Sequence, residues 1–320
     1  MSKYKIAVLD DYQDVAKSFA DWTPLSQYAD IEIFTDHLHE EDDIAERLKD
    51  FEIICVMRER TPLTSALLMR LPKLRLIVST GARNRSIDLE AAAKLDIEVK
   101  NTGYLGHGAL ELTWALLMAI AKHIPQENAN LRAGGWQHMV GNDLKGKTLG
   151  ILGLGNLGSQ VAAVAKAFDM DVIAWSENLS PEKALAAGAR YVDKKTLFRE
   201  SDYLTVHMVL SDRSKGIVGA GDLALMKSTA YLINTSRGPL VDEDALIKSL
   251  TENKIAGAAL DVFGQEPLDK DHPFRKLTNV LATPHIGFVT QDTYSLFFND
   301  IVKVLLDWFA NPNPPAAPFP

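Results

Sequence analysis

The chain has 320 residues, 47% of them apolar and 24% charged, a composition suited to a folded protein with room for two domains and their cores. Lys and Arg number 34 against 42 Asp and Glu, a formal charge of −8, and no basic run is dense enough to attract a phosphate backbone, which argues against a nucleic-acid partner. The start "MSKYKIAVLD" lacks the apolar region of a signal peptide, no stretch is long and apolar enough to span a bilayer, and the single cysteine, Cys55, excludes an internal disulfide framework; the expectation is a cytoplasmic protein with Cys55 as buried filler.

From the N-terminus, apolar runs of strand length ("KIAVL", "IEIF", "FEIICVM", "LRLIVST", "IEV") alternate with helical segments such as "EDDIAERLKD" and "TSALLMRL". This alternation predicts right-handed βαβ units around a mainly parallel sheet. From Gly106 the segment "GALELTWALLMAIAKHI" is too long and too rich in Leu, Ala and Met for a strand, and predicts a buried helix of a length suited to connecting two domains. The βα rhythm restarts at "KTLGILGLGNLG" and continues through "DVIAWS", "DYLTVHM", "AYLINTS", "IAGAALDVF" and "NVLATPHI", predicting a second doubly wound sheet. A last helix follows in "TYSLFFNDIVKVLLDWFA", with Leu296, Phe297, Ile301, Val304, Leu305 and Trp308 at helical spacing; the pattern alone allows it to pack on either domain. The tail "NPNPPAAPFP" reads as a frayed terminus or a docking segment.

The sharpest local signal is Gly153, Gly155 and Gly158 in "GILGLGNLGSQVAAVAKAF", a G-x-G-x-x-G pattern between a strand and an amphipathic helix. Gly153 permits the tight turn, Gly155 admits a pyrophosphate close to backbone, and Gly158 lets helix approach strand. The N–H groups opening the helix, at Asn156 and Leu157, then meet the phosphates of a dinucleotide. At the end of the next strand, "MDVIAWSEN", the position facing the adenosine ribose falls to Ser176 or Glu177. Glu177 there would select NAD, Ser176 would discriminate weakly, and no adjacent Arg or Lys clamps a 2′-phosphate, so the expectation is NAD with NADP left open.

Two further residues stand at strand ends. Arg237 in "NTSRG" follows a predicted parallel strand, where ligands of such sheets bind, though on sequence alone a surface Arg is the more common explanation. His285 closes "LATPHI", and a lone His is more often structural than catalytic.

The order of these motifs resembles the D-isomer-specific 2-hydroxyacid dehydrogenases. The resemblance rests on "GKTLGILGLGNLG", "ALMKSTAYLINTSRGPLVDEDAL", "AALDVFGQEPL" and "TPHIG", with looser matches at "TGARNRSIDLEAAA" and "HGALELTWALL". It implies an α/β fold of two doubly wound parallel-sheet domains. A Rossmann cofactor domain (residues 103–288) is inserted into a discontinuous, flavodoxin-like substrate domain (residues 1–102 and 289–320), to which the last helix returns. It also implies a homodimer through the cofactor domain, and leaves no room in 320 residues for the regulatory serine-binding domain of many phosphoglycerate members.

The implied chemistry is hydride transfer between NAD(P)H and a small 2-keto acid or D-2-hydroxy acid. The family's positions fall on Arg237 for the substrate carboxylate and carbonyl, His285 as general acid and base, and Glu266 as its carboxylate partner. An imidazole titrates near about 6.5, and an adjacent carboxylate favours the protonated form. Asp261, His207 and Thr235 match cofactor-site positions, Asp261 with a turn-capping role equally open; Gly81 and Ala82 match the backbone groups that receive the substrate carboxylate, with Arg83 where the family commonly has Gly. Arg58 or Arg60, in "RERTPL", would reach a distal substrate group, at least one of them being a solvated charge. The other histidines show no metal-ligand spacing and no metal is expected; His37 and His39 read as part of a charged surface stretch and His272 as part of an acidic loop. The competing readings are a formate- or phosphite-type dehydrogenase and a non-catalytic NAD(H)-sensing scaffold on the same fold.

Overall fold

The computed structural model describes residues 3–310, and the Pro-rich tail lies outside the described residues. Two compact units form: one takes the chain up to Leu105 together with the segment from Thr290, the other is Gly106–Val289.

In the first unit the apolar runs become β1 (Tyr4–Val8), β2 (Ala29–Ile33), β3 (Ile53–Val56), β4 (Leu76–Ser79) and β5 (Glu98–Asn101), all parallel, in the order β2-β1-β3-β4-β5. β3 and β4 are buried along their whole length, as the continuous apolar runs "IICV" and "LIVS" require of strands covered on both faces. The helix Gln291–Ala310 packs into this unit and buries Phe297, Phe298, Ile301, Leu305 and Trp308, while Leu296 and Val304 are half-buried at its margin. Each buried Phe or Leu of that stripe contributes about 1.5–3 kcal/mol. Polar groups fix its register: Trp308 Nε1 donates to Glu98 at 3.1 Å and Gly103 N–H to Asp300 at 2.8 Å.

His37 differs from its reading as a surface residue. Its ring is buried against the Asp10 carboxylate at 2.8 Å, and Asp10 also accepts the Thr61 hydroxyl at 2.7 Å. The charge run around it hid a single inward-facing position, because strand ends carry no period by which to place a side chain.

The second unit holds β6 (Thr148–Leu152), β7 (Asp171–Trp175), β8 (Arg190–Tyr191), β9 (Tyr203–Val206), β10 (Tyr231–Asn234), β11 (Gly257–Leu260) and β12 (Val280–Ala282), parallel in the order β12-β11-β10-β9-β6-β7-β8. One face is covered by a core that includes Phe198, Leu232 and Leu246, the other by one that includes Leu117, Val161 and Ile233. The apolar segment after Gly106 forms the helix His107–Ala121 and stops there. His123 takes a left-handed backbone (φ +52°), and a second helix, Ile124–Arg132, begins with Pro125 in its first turn. The apolar Ile124, read as the end of the first helix, instead opens the second.

Cys55 lies in β3 between Val8 and Val78, 1% exposed, and burial pushes its thiol pKa up. The folded protein is expected to resist thiol reagents, with one thiol per chain appearing only in denaturant. Rapid stoichiometric labelling of the native protein would show that β3 is not covered on both faces.

Candidate active site

The segments that follow five neighbouring strands of the second unit deliver the groups of the candidate site. Across the order β12-β11-β10-β9-β6 these are His285, Asp261 with Glu266, Arg237, His207 and Gly153. The ladder continues past the strand ends to hold them: Thr283 N–H bonds Leu260 O at 2.9 Å, Asp261 N–H bonds Asn234 O at 3.0 Å, His207 N–H bonds Leu152 O at 2.8 Å and Gly153 N–H bonds Trp175 O at 2.9 Å.

His285 Nδ1 lies 2.5 Å from Glu266 Oε2, and Glu266 Oε1 accepts Phe263 N–H at 2.9 Å, so both carboxylate oxygens are engaged. The Phe288 ring meets the imidazole edge-on at a centroid distance of 5.5 Å. With Nδ1 paired, Nε2 is the nitrogen available to a reactant. His285 has φ +51°, a conformation that costs a non-glycine residue about 1 kcal/mol or more. Asp261 holds it there. The carboxylate is 1% exposed and accepts Thr283 Oγ1 at 2.6 Å, Ile286 N–H at 2.8 Å and Gly287 N–H at 2.9 Å. Burial raises its pKa, opposed by these three donors. All three bonds go to the turn that carries His285, the turn-capping role that the sequence left open for Asp261.

Arg237 is held by an Asn234 turn: Asn234 Oδ1 accepts Ser236 N–H at 3.1 Å and its Nδ2 donates to Arg237 O at 3.0 Å. The Arg237 Nη1 donates to Ser236 O at 2.7 Å. Beside it Thr235 Oγ1 pairs with Thr113 Oγ1 at 2.7 Å. Gly238 must be glycine, because a Cβ there would lie 2.0 Å from the Phe263 carbonyl; the Arg237 turn thus packs directly on the segment leading to Glu266.

The Gly-rich turn fits a dinucleotide. Gly153 has φ +104° and packs on the His207 carbonyl, 2.6 Å from where a Cβ would sit, whereas nothing stands within 4 Å of a Cβ at Gly155. The helix Asn156–Ala167, with Asn156, Leu157 and Gly158 in its first turn, has no side-chain cap, so its opening N–H groups are left for an anion. β7 ends at Trp175; the Ser176 hydroxyl then accepts Leu154 N–H at 2.9 Å, bracing the turn, and Glu177 beyond it is exposed. Both His207 ring nitrogens are buried with no partner among the described residues, polar atoms that a bound group would satisfy.

In the first unit, Gly81 N–H donates to Thr102 Oγ1 at 2.8 Å, while Ala82 is exposed. Arg58 lies over this loop, its Nη1 donating to Thr80 O at 3.2 Å and its guanidinium 5.0 Å from the centre of the Tyr104 ring. Arg60 instead donates to Asp10 O at 2.6 Å and lies over Tyr12. No group of three or more His, Cys, Asp or Glu residues gathers as metal ligands would among the described residues.

Sequence reading missed Asn234, whose spacing to Ser236 is that of a side-chain turn, and the pair Glu243 and His272. His272, read as part of an acidic loop, is 16% exposed and lies 3.2 Å from Glu243 Oε1.

Comparison with known proteins places the chain in a family. Residues 114–287 match the family model described as D-isomer specific 2-hydroxyacid dehydrogenase, NAD binding domain. The glyoxylate reductase of Aeropyrum pernix is 42% identical over 237 residues, 71% of each chain. Among solved structures, a phosphoglycerate oxidoreductase from Vibrio cholerae superposes with a TM-score of 0.91 at 36% identity, covering 97% of this chain and 100% of that one. D-lactate dehydrogenase from Aquifex aeolicus, complexed with NAD and lactic acid, gives 0.76 at 26% identity over 96% of both.

Burial pulls the His207 pKa down to about 4, from about 6.5 in the unfolded chain. The unfolded chain therefore binds a proton that the folded one refuses, so stability falls as pH drops from about 6.5 towards 4 and is unaffected by this residue at higher pH. In thermal melts of the cofactor-free protein, His207→Gln is expected to lose less Tm than the wild type between these pH values. Parallel Tm profiles would contradict the burial of this ring.

Proposed function

The chain belongs to the D-isomer-specific 2-hydroxyacid dehydrogenases, NAD-dependent oxidoreductases that exchange hydride between 2-keto and 2-hydroxy acids, and we propose that Arg237, Glu266 and His285 carry that reaction here. The observation behind this reading is the 2.5 Å pairing of His285 Nδ1 with Glu266, which leaves Nε2 as the proton-carrying atom.

The Gly153–Gly158 turn would hold NADH, with Glu177 on the ribose side and His207 and Thr235 lining the site, and the cofactor would supply the hydride for the carbonyl carbon. Arg237 binds the substrate carboxylate and carbonyl oxygen through its planar fork and draws charge towards that oxygen. His285 donates a proton from Nε2 as negative charge develops there, and takes it back when a hydroxy acid is oxidised. Glu266 fixes the ring and stabilises the imidazolium, and Asp261 keeps the His285 turn in its left-handed conformation. On the Gly81–Ala82 loop, the Ala82 N–H and Arg58 form an anion-receptive group assigned to the substrate. The substrate is a small 2-keto acid of the size of glyoxylate, which the name of the Aeropyrum relative supports.

Absorbance at 340 nm, followed with NADH and NADPH against glyoxylate, hydroxypyruvate, pyruvate and phenylpyruvate, is expected to show NADH consumption with the smaller acids. His285→Ala should lower kcat by about 10²–10⁴-fold. Arg237→Lys should lower kcat/KM by about tenfold or more with the NADH Kd unchanged. Tight NADH binding without turnover of any acid would move the assignment to a cofactor-sensing scaffold.

The chain further acts as a cytoplasmic homodimer through its NAD-binding unit. Trp136 and Val140, 75% and 91% exposed, follow the exposed Ile124 and Leu131 of the helix Ile124–Arg132, an apolar surface that a second copy would cover. Light scattering should give about twice 35.3 kDa, falling to the single-chain mass in Trp136→Glu/Val140→Asp. A monomeric wild type would remove this part of the reading.

A further inference from the structure

The loop carrying Glu266 is braced from outside the triad. Glu243, the first residue of the helix Glu243–Thr251, accepts Gly264 N–H through Oε2 at 3.1 Å and meets His272 Nε2 through Oε1 at 3.2 Å. On its other side the His272 ring accepts Phe274 N–H at Nδ1, 3.3 Å. An Nδ1 that accepts places the proton on Nε2, so a neutral His272 donates to Glu243 and both ring nitrogens are used.

Glu243 therefore grips the turn one residue after Phe263, whose N–H orients Glu266, while His272 holds the far end of the same loop. Its own segment begins at Arg237, and Gly238 packs against the Phe263–Gly264 peptide. The helix does not need Glu243 to start, because Asp242 caps it by accepting Ala245 N–H at 3.1 Å. A half-buried carboxylate is thus committed to two partners on a distant loop.

We propose that Glu243, oriented by His272, is a positioning residue for the reaction: it ties the Arg237 turn to the Phe263–Glu266 turn and so sets where the Glu266 carboxylate meets His285. The inference rests on the triad assigned above. Neither residue touches the reacting atoms, so the loss should appear in kcat and leave binding alone.

The test compares Glu243→Ala, Glu243→Gln, His272→Ala and the double alanine variant as NADH complexes. Glu243→Ala is expected to lower kcat by about 10- to 100-fold, with the keto-acid KM and the NADH Kd, read by fluorescence titration, within about twofold of wild type. Glu243→Gln should recover part of kcat, to about the level of His272→Ala, since its amide carbonyl still accepts Gly264 N–H while its amide nitrogen cannot accept from His272 Nε2. The double variant should be no worse than Glu243→Ala, because His272 acts through Glu243.

A second readout needs no turnover. The far-downfield proton resonance of the His285–Glu266 hydrogen bond, assigned by its loss in His285→Ala, should move upfield and broaden in Glu243→Ala and return in part in Glu243→Gln. The proposal is overturned by wild-type kcat in Glu243→Ala, by equal losses in kcat and NADH affinity, by Gln behaving as Ala does, or by an unmoved resonance. A wild type that turns over no keto acid while its resonance still responds to Glu243→Ala would sink the assigned reaction and leave the brace standing.

Discussion

The arrangement depends on one buried carboxylate. Asp261 is buried after β11 and accepts three hydrogen bonds from the segment Thr283–Gly287. A histidine at φ +51° would relax into ordinary extended or helical backbone unless its neighbours determined the turn. Pro284 restricts the residue before it, and Asp261 fixes the amides on the other side. The His285 turn is therefore held by Asp261, and the burial that raises the Asp261 pKa also makes its bonds to these amides strong.

The parallel sheet makes such an arrangement possible. Each strand of the second unit runs the same way, so all its ends open at one edge, where the following backbone is released from the ladder. Residues far apart in sequence, Gly153 and His285 among them, arrive at adjacent strand ends because β12, β11, β10, β9 and β6 are neighbours. Close contact needs small residues at the crossings. Gly153 against the His207 carbonyl and Gly238 against Phe263 are where backbone meets backbone and no Cβ fits.

Much of this was legible in the sequence for a physical reason. Fully buried parallel strands are uninterrupted apolar runs, and the Gly-rich spacing gains its meaning from the strand before it and the amphipathic helix after it. What escaped was whatever depends on a distant partner or a short element. β8 has two residues, too few for any period. The stop after Ala121 comes just before Ile124, whose apolar side chain reads as a continuation of the same helix. Ser176 and Glu177 were indistinguishable until the strand end at Trp175 gave the hydroxyl to Leu154 and left the carboxylate outside. Glu243 and His272 belong to separate segments, 29 residues apart, and nothing local to either marks the pair.

Arg237, Glu266 and His285 all belong to Gly106–Val289, whereas the loop of Arg58, Gly81 and Ala82 belongs to the other unit. The residues proposed for proton transfer and those proposed to receive the acid thereby lie in different stretches of chain. Under the proposed roles, substitutions in the first hundred residues would alter how the acid is received while leaving the imidazole and its carboxylate untouched, because the two sets of residues share no stretch of chain.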